Sequence, residues 1–110
     1  MALPAGALRE VVVIETPHHE RNEVGEAVQT LWGEMARRRA SIEQVSASEQ
    51  QQLGQTGSTR TFTVRMRYCD GLREGSRLRW VTRENRLLYV SSVVERGRRE
   101  EHEVYAEERD

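Results

Sequence analysis

Lysine is missing altogether; all 17 basic side chains of the 110-residue chain are arginine. Coding bias in a GC-rich genome gives such a composition. Its physical consequence is a set of rigid, weakly hydrated forks that suit interfaces better than ammonium groups do. Cysteine occurs once, at Cys69, which excludes an intrachain disulfide and fits a reducing compartment. Aromatics are scarce, with one Phe, two Trp and three Tyr, and they do not cluster with the basic residues as a base-stacking platform requires. No apolar run approaches the ~20 residues of a membrane-spanning helix. The opening "MALPAGALRE" has neither a basic n-region nor a proper apolar h-region, so no secretory signal is expected and the chain is expected to act in the cytoplasm where it is made. Single-sign charge is also missing. The 17 basic and 18 acidic residues leave a net charge of −1, too little to draw the whole molecule onto nucleic acid or membrane.

The groups that carry chemistry are thin as well. Aspartate occurs only at Asp70 and Asp110, the glutamates are scattered, and no Gly-rich phosphate loop is present. His18 and His19 are adjacent, so on an extended chain they point in opposite directions and do not share a metal. His102 reads as a partly buried strand residue, and Cys69 as a small packing residue at a strand end. Neither a catalytic site, nor a metal site, nor a cofactor site is expected, and the protein is not expected to be an enzyme.

What is present is alternation. In "RTFTVRMRY" (60–68) Phe62, Val64 and Met66 share one face with Arg60 and Tyr68, while Thr61, Thr63, Arg65 and Arg67 take the other. "LREVVVIET" (8–16) is a strand apolar on both faces, so it is central or half buried in a partner, and Pro17 is expected to end it. "HHERNEVGE" then reads as a long, mobile hairpin loop. "AVQTLWGEM" (27–35) is a strand broken near Gly33, and "ARRRASIEQV" (36–45) is a separate strand. On it Arg37, Arg38 and Arg39 divide between the two faces and form no single patch. "SASEQQQLGQTGS" (46–58) is a long loop in which Ser46 and Glu49 have capping-box spacing, followed by one or two helical turns. "RLRWVT", "NRLLYVSSVVE" and "EHEVYAE" complete about seven short strands. The expectation is one domain, 1–110, mainly β: a small antiparallel barrel of SH3-like or sandwich-like form, with one long loop carrying a short helix.

The order of these segments resembles the head-tail joining proteins of tailed bacteriophages, also called head-closure or stopper proteins. The resemblance runs from about Leu8 to Glu107. It rests on "LREVVVIETP", on "NEVGEAVQTLW" ending in Trp32, on "ASIEQVSASE", on "TRTFTVRMRYCDGLREGSRL" and on "NRLLYVSSVVERGRREEHEVYAEE". The chain departs from the family pattern at Arg38-Arg39, in the glycine-free turn "TRENR", and at His102, where the family often has an aliphatic residue.

The resemblance implies a ring, usually twelve-fold, below the portal and its adaptor at the neck of a phage, prophage or gene transfer particle. That ring retains packaged DNA and provides the platform for tail proteins; DNA passes through without sequence-specific binding, and no membrane is involved. It implies that Ser46, Glu49, Gln50, Gln51, Gln52, Leu53, Gly54 and Gln55 belong to a channel loop. It also implies that Arg65, Arg67, Leu87 and Tyr89, turned away from the barrel core, meet neighbouring subunits. The chain would then reside in the virion neck after assembly in the host cytoplasm. Two other readings stay open: another neck component, such as an adaptor or tail-joining ring, and a small barrel that binds nucleic acid on its own.

Overall fold

A computed structural model describes residues 5–46 and 59–109. Among these there is no α-helix. Six strands occur, β1 (Glu10–Arg21), β2 (Ala27–Gln44), β3 (Arg60–Arg67), β4 (Arg77–Trp80), β5 (Arg86–Arg96) and β6 (Glu101–Glu108), with short 3-10 turns at Ala5–Ala7 and Val81–Arg83. Every pairing is antiparallel, and the sheet closes in the order β1-β2-β3-β6-β5-β4. The mainly β barrel expected from the alternation is what forms. The short helix expected in the loop falls outside the described residues.

Among the described residues the strand count is six rather than seven because Gly33 breaks nothing. The segments read as separate second and third strands are one strand, β2, paired to β1 along its length. Ile14 pairs with Ala36 and Glu15 with Glu34, so Met35 is an extra residue, a bulge that bends the ladder and lets it continue. Pro17 does not end β1 either. Beyond Glu15 the β4 pairing has stopped and, among the described residues, β1 keeps only β2 as a neighbour, so a residue without an N–H sits on an edge strand, where it is tolerated.

The consequence is an arm. The "HHERNEVGE" segment is strand and tight turn rather than a long loop. Asn22 Oδ1 accepts from the N–H groups of Val24 (3.1 Å) and Glu26 (2.9 Å), and Gly25 takes φ +86°, where an L side chain would be strained. Among the described residues the two strands pair only with each other from Thr16 to Gly33, and the molecule measures 49 × 31 × 28 Å.

The interior is the apolar parity of each strand. Val12, Ile14, Phe62, Val64, Met66, Leu78, Leu88, Val90 and Val104 are all buried in one cluster. Val13 is fully buried too, yet lies outside that cluster; it is flanked in register by Arg37 and Arg79, whose aliphatic stems suit such cover. The two-faced apolar character of β1 is thus satisfied within the chain.

Arg86 and Glu108 close one end of the barrel. Nε and Nη2 of Arg86 each donate to Glu108 at 2.6 Å, and the guanidinium lies 5.0 Å from the Trp80 ring centroid and 5.5 Å from that of Phe62. His102, Tyr68, Cys69 and Leu72 close the other. Tyr68 stacks on His102 at 4.6 Å, and the Cys69 N–H donates to His102 Nδ1 at 3.3 Å.

Candidate assembly interface

Outward-facing strand positions are where one subunit can meet another, and most of their charges here are already matched. Arg65 lies 3.7 Å from Glu103, its register partner on β6. Glu103 is buried and also accepts from Arg96 (2.6 Å) and from the Tyr105 hydroxyl (3.2 Å). Burial alone would push the Glu103 carboxyl up, but the Arg96 hydrogen bond and charge, the Arg65 charge and the Tyr105 hydroxyl outweigh it and hold it below its ordinary value. Glu108 is held down in the same sense, first by its hydrogen bonds from Arg86 and then by Arg60.

A second network sits at the root of the arm. Arg77 donates to the buried Glu15 at 2.7 Å and lies 4.3 Å over the Trp32 ring. Arg79 reaches both Glu15 and Glu34 at 3.7 Å. Trp32 meets Tyr89 edge-on at 6.1 Å, and Arg109 covers the other ring of that pair, Tyr89, at 4.6 Å. Tyr89 and Leu87 are half-buried on the outer face, flanked in register by Arg77 and Arg79.

The four residues expected at a subunit contact therefore do not form one patch. Arg65 and Arg67 stand on β3, Leu87 and Tyr89 on β5, and β6 runs between these strands. Of the expected channel-loop residues, Ser46 is exposed just beyond β2; Glu49, Gln50, Gln51, Gln52, Leu53, Gly54 and Gln55 lie outside the described residues.

The arginine run divides between the faces as expected, and two of its members gain a common neighbour. Arg37, Arg38 and Arg39 do alternate, yet Arg38 and Arg39 come together with Arg67 and Leu8 around an open pocket of about 330 Å³. The pairing of β2 with β3 begins only at Ala40↔Met66, so Arg38 has inward parity but no barrel wall beyond it, and it is exposed. Among the described residues, neither Arg38, Arg39 nor Arg67 has a carboxylate within ion-pair distance. The signal that would have found the pocket is the length of β2, which outruns β3 at its N-terminal side.

His18 and His19 face opposite sides of the arm, in register with Leu31 and Thr30, and His19 Nδ1 lies 3.1 Å from Thr30 Oγ1. No group of three metal-ligating side chains occurs among the described residues.

His102 has a consequence for stability. Burial lowers its pKa from the ordinary value near 6.5, so the folded protein keeps the ring neutral while the unfolded chain takes up a proton. A group depressed in this direction withdraws stability as pH falls through the unfolded value. The urea midpoint is therefore expected to fall between about pH 7 and pH 5, and His102→Gln, which keeps an acceptor for the Cys69 N–H, is expected to flatten that step. A step of unchanged size in the variant would show that His102 is not its source. Below about pH 4.5 a further loss is expected as Glu103 and Glu108 protonate.

A protein-family model described as "phage head completion protein" matches residues 3–109. Among solved structures, a protein of Shigella flexneri 2a superposes with a TM-score of 0.73 at 23% identity, covering 96% of each chain. A chain from the virion of a native gene transfer agent particle superposes with a TM-score of 0.66 at 20% identity, covering 91% of this chain and 94% of that one. These two likenesses concern the fold. A search of curated proteins gives no match.

Proposed function

From the premise that this chain belongs to the phage head completion protein family, we propose that it closes DNA-filled heads as a ring at the neck of a tailed phage or gene transfer particle. One face of the ring meets the portal-adaptor, the other receives the tail, and DNA passes through the middle. A twelve-fold ring and assembly in the host cytoplasm belong to the same reading. So does the segment from Ser46 to Ser58 as its channel element, on sequence grounds alone.

The observation that carries this proposal beyond the family is the arm. Among the described residues the barrel completes its own core and pairs most of its strand charges, yet two strands from Thr16 to Gly33 leave it with no third strand beside them. An isolated two-stranded ribbon adds little to the stability of its own subunit. Its cost is offset where several copies assemble and the ribbon gains neighbours. Arg and Tyr on the outer face are residue types enriched at such contacts.

The test is head completion in trans. Heads made without this chain are expected to lose their DNA to nuclease and to remain tailless, and adding the purified chain is expected to restore both properties. Heads that keep DNA and join tails without it would refute the reading.

The free chain is expected to be mostly monomeric. The surfaces available for a ring are polar and gain little until a portal-adaptor template aligns the copies, because association costs translational and rotational freedom. Sedimentation at micromolar concentration should show a single species of about 12.7 kDa. A stable large ring without partners would contradict this.

A further inference from the structure

Several charges of the described residues have no ion-pair partner, and two groups of them stand beside an apolar side chain. One is the pocket rim, Arg38, Arg39 and Arg67. The other is the tip of the arm, which carries Glu20, Glu23 and Glu26 against a single Arg21. Arg21 is committed to the turn, donating to the Gly25 carbonyl at 2.8 Å, and Glu20 accepts from Gln29 across the arm. Glu23 and Glu26 have no cation within ion-pair distance among the described residues. Between them Val24 is 77% exposed, the most exposed large apolar side chain among the described residues. A narrow, acidic tip with an apolar apex thus exists on the same molecule as a basic-rimmed pocket with Leu8 in its lining.

The two cannot meet within one chain. Arg38 lies twelve positions beyond Glu26 along β2, roughly 35–40 Å at strand rise. Complementary patches at different places on one subunit make a heterologous, head-to-tail contact, which closes into a ring when its rotation allows.

We propose that the arm tip, Glu23 to Glu26, docks in the Leu8/Arg38/Arg39/Arg67 pocket of a second copy of this chain. The contact rests on the ring reading above and assigns the surfaces from which the ring is built. Val24 enters the pocket beside Leu8, and the two carboxylates take the guanidinium rim. A DNA phosphate would satisfy the rim but would leave the apolar lining unfilled, and it would give the exposed Val24 no place.

The first experiment is disulfide trapping in the full-length chain. A disulfide needs Cα atoms within about 7 Å, so Val24→Cys and Arg38→Cys on one chain cannot bridge internally. At high protein concentration under mild oxidant, the double variant is expected to give a ladder of trimers and higher species. Each single variant is expected to give dimers at most. A double variant that yields only monomers and dimers overturns the proposal.

The second experiment is charge exchange, read as tail joining by heads completed in trans. Glu23→Arg/Glu26→Arg and Arg38→Glu/Arg39→Glu are each expected to abolish joining, and their combination on one chain to restore it. Failure of the combination overturns the docking contact. Salt-sensitive retardation of duplex DNA that Arg38→Glu/Arg39→Glu abolishes, together with failed rescue, would reassign the pocket to phosphate. A wild-type chain that completes heads, together with a double cysteine variant that forms no ladder, leaves the ring reading standing and removes only this contact. Heads that need no chain at all remove the ring reading itself.

Discussion

Replacing Leu78 with alanine is expected to destabilise the barrel by about 3 kcal/mol, enough to lower its melting temperature by roughly 15 °C. Leu78 is fully buried at the centre of β4, the four-residue strand that closes the sheet between β1 and β5. In register it stands between Ile14 and Leu88, both fully buried. Truncation therefore removes the middle member of an interior layer and leaves a void that two flanking strands cannot fill without breaking their pairing. Domains of this size have about 5–15 kcal/mol in all, so the loss is a large share of the total. The neighbouring Leu87, half-buried on the outer face, supplies the contrast: Leu87→Ala is expected to cost about 1 kcal/mol or less. Equal effects at the two positions would mean that the parity assigned to β5 and the closure through β4 are wrong.

The second large effect is expected at the opposite kind of site. Arg86→Ala is predicted to cost about 2 kcal/mol, measured by urea denaturation at neutral pH. The substitution removes two 2.6 Å hydrogen bonds from Glu108 and the cation that lies over Trp80 and Phe62. Glu108, only 14% exposed, keeps Arg60 at 3.2 Å. That remaining partner and the 34% exposure of the Arg86 side chain keep the loss below that of a fully buried pair. Arg86→Lys should recover only part of it, because an ammonium cannot make the two-pronged contact with the carboxylate. A lysine variant as stable as wild type would show that charge alone, without the fork, holds this end of the barrel.

Parity was legible in the sequence, and parity fixes much of the barrel. Phe62, Val64 and Met66 read as inward and are buried; Arg65 and Arg67 read as outward and are exposed. Arg65, read as outward, has its counter-charge inside the chain, since it meets Glu103 across the β3–β6 ladder. Which strand lies beside which was not legible. Alternation along β2 is the same whether or not a neighbour is present, so nothing in "ARRRA" announced that Arg38 would stand past the end of β3. Nor did the sequence disclose the bulge at Met35. Gly33 and Pro17 are common punctuation, and only the register shows β1 and β2 passing both without a break. Nothing local marks Glu15 for burial; that depends on Arg77 and Arg79, more than sixty residues away, arriving on β4.

The stability variants probe the barrel and the trapped disulfides probe one contact. Density for the neck of the intact particle bears on the central claim most directly. Cryo-electron microscopy of completed particles is predicted to show several copies of this barrel in a ring between the portal-adaptor and the tail, around the DNA channel. Copies found in the capsid shell or along the tail tube, or a neck with no density into which this barrel fits, would contradict it.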